Sequence, residues 1–112
     1  MILNDKFMCN FQVLAQNADG YVVFCHDCKS VQLAFGTTLI KMRPEYFREI
    51  SQAVRLEGLC KKTRAAANVK NIFIPLEEGI TLCLTFQEQK KLEQLLSEAT
   101  ALFETYAILE QL

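Results

Sequence analysis

Apolar residues come first in short stretches separated by turn chemistry, then at helical spacing, then in short stretches again, and last along one long helical stripe. Phe7 to Gln16 mixes β-branched, aromatic and aliphatic residues, Asn17-Ala18-Asp19-Gly20 carries the Asx and glycine chemistry of a tight turn, and Tyr21 to Cys25 resumes as an apolar strand. This predicts a β-hairpin. Ser30 to Phe35 places Val31, Leu33 and Phe35 on one side, Gly36 permits a bend, and Thr37 to Met42 continues as a fourth strand, so an antiparallel meander is expected. Pro44 suits a first helical turn, Tyr46, Phe47, Ile50 and Val54 share a face, and Gly58 stands where a terminal glycine would end the helix.

Leu59 to Asn71 is the least defined stretch, with Ala65-Ala66-Ala67 favouring helix and Asn68 and Asn71 favouring turns. Ile72-Phe73-Ile74-Pro75, a turn at Glu77-Glu78-Gly79 and the alternation of Ile80, Leu82 and Leu84 then predict a second hairpin, with Pro75 at an edge or strand end. Thr85 and Glu88 have capping-box spacing, so a helix should start near Phe86 and run almost to the end. Leu92, Leu95, Ala99, Leu102, Tyr106 and Leu109 form its seam, and Leu96 and Phe103 widen it. The fold class expected is α+β: an antiparallel sheet of hairpin, meander and second hairpin, packed by one short and one long C-terminal helix.

The chain has 112 residues, 51% hydrophobic and 22% charged, which fits one domain with an ordinary core. No apolar run approaches the ~20 residues that span a bilayer, and no basic segment leads into an apolar stretch at the start, so neither membrane insertion nor secretion is expected. Five cysteines, an odd number, point to a reducing cytoplasm rather than to a disulfide scaffold. The net charge of -1 excludes a general polyanion binder. The charge is uneven, however: Lys and Arg prevail up to residue 76 and Asp and Glu beyond it, as expected of a solvated acidic helix.

Cys25-His26-Asp27-Cys28 is the constellation with chemical character, because two thiolates three positions apart across a tight turn can face one metal ion. Counting back from a Gln16–Tyr21 pair puts Cys9 opposite Cys28, and a turn made of Asp19-Gly20 alone puts it opposite Ser30, on the same sheet face. Cys9, Cys25 and Cys28 are therefore the metal ligands expected, with zinc the metal that suits thiolates and His26, Cys60 or Cys83 open as a fourth ligand. The rival is a thiol-based redox or sensor protein using Cys25 and Cys28. Such chemistry wants the pair at a helix N-terminus, and here a strand follows. His26 is the single histidine, and no phosphate loop, nucleophile elbow or His-Glu-x-x-His occurs, so nothing visible runs an enzyme. Lys61, Lys62, Arg64 and Lys70, with Arg55, form the basic cluster; without interleaved aromatics it reads as a solvated loop rather than a nucleic-acid site.

The hairpin into Cys25-His26-Asp27-Cys28, the Leu33-Ala34-Phe35-Gly36 phrase, Asn71-Ile72-Phe73-Ile74-Pro75 and the Leu82-x-Leu84 strand running into Glu88, Leu92, Leu95 and Leu96 together resemble a family of small bacterial proteins known as a domain of unknown function. The resemblance spans most of the chain and implies a cytoplasmic single domain, bringing no activity, substrate or catalytic residue with it. Where similar members carry a second proline after Ile-Pro, this chain has Leu76-Glu77-Glu78.

A final helix over residues 86–112 would be on the order of 40 Å long, against about 30–35 Å for a domain of this size. Leu102, Phe103, Tyr106 and Leu109 would then overhang, and a homodimer through the C-terminal helix would cover them. The functional expectation is a non-enzymatic interaction or regulatory module with a structural zinc knuckle.

Overall fold

The computed structural model describes residues 10–59, 68–77 and 79–111. Four strands, β1 (Phe11–Asn17), β2 (Gly20–Cys25), β3 (Ser30–Phe35) and β4 (Thr38–Met42), pair antiparallel in chain order. Helix α1 (Pro44–Gly58) follows, then β5 (Ile72–Pro75) and β6 (Thr81–Leu84), which pair with each other as a separate two-stranded sheet, and finally α2 (Phe86–Gln111). The α+β architecture is the one expected; the second hairpin forms its own sheet instead of extending the first.

Local chemistry explains each boundary. Asn17 Oδ1 accepts from the amides of Asp19 and Gly20 at 2.8 and 2.9 Å, an Asx turn that closes the first hairpin. Gly36, with φ of 60°, turns β3 into β4, and its N–H donates to the Asp19 carbonyl at 2.9 Å, joining the two turns. The capping box forms as expected: Glu88 N–H donates to Thr85 Oγ1 at 3.0 Å, and Thr85 N–H to Glu88 Oε1 at 2.9 Å. Gly58 differs from expectation. It remains inside α1, the C-cap is Leu59 in a right-handed conformation, and a Cβ at Gly58 would lie 2.5 Å from Gln89 Nε2 and from Glu93 Oε1. Its role is to let α2 approach.

One face of the large sheet meets both helices. Leu14, Val22, Val31, Leu33 and Met42 from the sheet, Phe47, Ile50 and Val54 from α1, and Leu92, Leu95, Leu96, Ala99 and Phe103 from α2 form one buried cluster. Ile72, Ile74 and Leu84 join it from the small sheet. Gln89, the one buried polar side chain of α2 among the described residues, donates to the Val54 carbonyl of α1 at 2.8 Å and so keeps the helix pair in register. The seam of α2 therefore turns inward: Phe103 is buried, Leu102 and Tyr106 are half-buried against the core, and Ile108 and Leu109 stay exposed. The physical ground for a dimer through this helix shrinks to those last two residues.

Candidate functional site

The site is built where β1 and β2 end and the chain turns back into β3. Register decides what comes together there. Gln16 pairs with Tyr21 as expected, but a bulge between Val13 and Ala15 absorbs one residue, so Phe11 stands opposite Cys25 where the simple count would put Gln12. The bulge buries Leu14 and Ala15 side by side and moves Phe11, Gln12 and Val13 by one position. Cys9 lies outside the described residues, as do Cys60 and the basic residues Lys61, Lys62 and Arg64. Lys70, the remaining loop lysine, is tied to Glu88 at 2.8 Å.

Cys25 ends β2 on the face turned away from the helices, yet it is fully buried. Its carbonyl accepts from Lys29 N–H at 2.8 Å, and its Sγ accepts from Cys28 N–H at 3.2 Å. Lys29 has φ of 58°, the single non-glycine residue with positive φ among the described residues. A left-handed residue directly after the second cysteine returns the chain into β3. Opposite Cys25 across the β2–β3 pair stands Ser30, 6% exposed, whose hydroxyl has no hydrogen-bond partner among the described residues. The turn opens directly into β3, so no helix dipole acts on either thiol.

His26 is not aimed at the cysteines. Its Nε2–H donates to Gln12 Oε1 at 2.7 Å, and its ring stands edge-on to Phe24, 4.9 Å between centroids. Its amide donates to the Asn10 carbonyl at 3.0 Å, while Asn10 N–H donates to Asp27 Oδ2 at 2.7 Å. Cys83 belongs to the other sheet, where it is exposed and donates to the Lys70 carbonyl at 3.9 Å. No third histidine, cysteine or carboxylate joins Cys25 and Cys28 among the described residues. Sequence reasoning missed the cleft on the other side of the knuckle, formed by Gln12, Leu14, Phe24, His26, Lys29, Phe103, Tyr106 and Ala107. Its signal was present only as apolar residues of α2 read as seam.

No helix among the described residues is long and apolar enough to cross a membrane. Comparison with the curated proteins and with the solved structures finds no match. A family model, described as a family of unknown function (DUF6686), matches residues 8–110, which takes in both hairpins, the knuckle, the cleft and nearly all of α2; the chain belongs to that family.

Proposed function

We propose that the chain is a non-enzymatic binding module in which Cys25 and Cys28, with Cys9, hold a structural zinc ion. The observation that carries the reading is the turn itself: the Cys28 amide donates to Cys25 Sγ at 3.2 Å, and Lys29, in the left-handed conformation, returns the chain into β3. An amide aimed at sulfur stabilises the negative charge that a metal-bound thiolate carries, and such outer contacts fix ligand orientation. Ser30 supports it as a buried hydroxyl with an unspent donor beside Cys25. Asn10, covalently next to Cys9, is tied to the knuckle through both its amide and its carbonyl.

A zinc ion here would fasten the start of β1 to the β2–β3 turn and add its binding free energy to folding. Binding of partners would use the outward sheet face, where Val13, Tyr21 and Leu39 are exposed. Metal analysis of protein purified without a histidine tag under reducing conditions tests the reading. About one equivalent of zinc is expected, and less than ~0.2 equivalents with reactive thiols overturns it.

A further inference from the structure

The cleft beside the knuckle has a volume of about 200 Å³, somewhat larger than the ~150 Å³ that accepts a benzene ring and too small for a nucleotide. Its floor is apolar: Leu14 is buried, and the rings of Phe24 and Phe103 stand 5.3 Å apart at a tilt of 55°. Among the described residues its rim carries donors and no acid. Lys29 is exposed and has no carboxylate partner among the described residues. Gln12 spends its oxygen on His26, which leaves the amide nitrogen as its open group. Tyr106 brings a hydroxyl from α2. Three donors around an aromatic floor call for a ligand that supplies acceptors, negative charge and a flat ring.

We propose that this cleft binds a small aromatic carboxylate, its ring lying on the floor that Phe24 and Phe103 form together and its carboxylate towards Lys29, Gln12 and Tyr106. The proposal does not rest on zinc at the knuckle, since neither cysteine lines the cleft. Titration of the full chain with benzoate, followed by amide and tyrosine NMR shifts, tests it against two controls: benzyl alcohol, which keeps the ring without the charge, and acetate, which keeps the charge without the ring. Saturable shifts confined to Gln12, His26, Lys29 and the Phe103–Ala107 turn are expected with benzoate, with both controls weaker by at least about tenfold. Lys29→Gly, which suits the positive φ and removes the side chain with its amine, should weaken benzoate by about tenfold, and Tyr106→Phe should weaken it less. Equal binding of benzyl alcohol, shifts elsewhere, or no saturation at about 20 mM benzoate overturns the proposal. Each of these results leaves the metal content unaffected, so the cleft and the knuckle fail separately.

Discussion

Gly20 holds the main sheet by what it lacks. A Cβ there would collide with the Ala34 carbonyl of β3, because the two backbones approach at the point where β2 begins. Backbone cannot move aside as a flexible side chain can, so Gly20→Ala should destabilise the chain by about 1–3 kcal/mol, the usual range for overpacking. Chemical denaturation measures this; an unchanged midpoint would mean that the strands can part there without loss. The residue type was visible in the sequence, but it read as turn chemistry, and only the β2–β3 register reveals the clash. Lys29 was less legible still, since a lysine gives no hint of left-handed backbone. Gln12 and Tyr106 read as an ordinary strand position and an ordinary seam position, because a cleft exists only once two distant segments meet.

At the level of elements, the capping box on α2 was readable because Thr85 and Glu88 act locally and need no tertiary contact. Glu88 gains a second partner that sequence spacing could not supply. The Lys70 ammonium, hydrogen-bonded to it at 2.8 Å, is the main cause that lowers its carboxyl below the ordinary glutamate value, the Thr85 amide adds to this, and partial desolvation opposes it. A depressed folded value contributes stability that is present above the unfolded glutamate range near ~4.3 and is lost as pH falls through the folded value. Glu88→Gln keeps a capping side chain without the charge. Wild type should therefore melt above Glu88→Gln at neutral pH, and the gap should close as the pH falls below the glutamate range; a constant gap would assign the effect to shape alone. The heptad spacing of α2 was read correctly as a buried stripe, and Phe103, expected to overhang, is buried in the core. Gln89 and the missing side chain at Gly58 seat α2 on α1 of the same chain, and neither feature alters an apolar period.

For the whole molecule, the bulge in β1 determines what gathers at the knuckle end. It moves Phe11 opposite Cys25, puts Gln12 on the helix side within reach of His26, and lets α2 close over Phe24 through Phe103. One turn thus presents sulfur to one face of the sheet and Lys29 and His26 to the other. Strand periodicity predicted the hairpin and its Gln16–Tyr21 pair, but a one-residue insertion leaves no mark on composition, so the pairing beyond the bulge was not legible. The zinc claim is tested most directly by X-ray absorption at the zinc edge on the wild type, Cys28→Ser and Cys83→Ser. Sulfur neighbours at ~2.3 Å are expected in the wild type, fewer of them in Cys28→Ser, and an unchanged shell in Cys83→Ser. A shell of nitrogen and oxygen alone at ~2.0–2.2 Å, or a sulfur signal that follows Cys83 instead of Cys28, would contradict it.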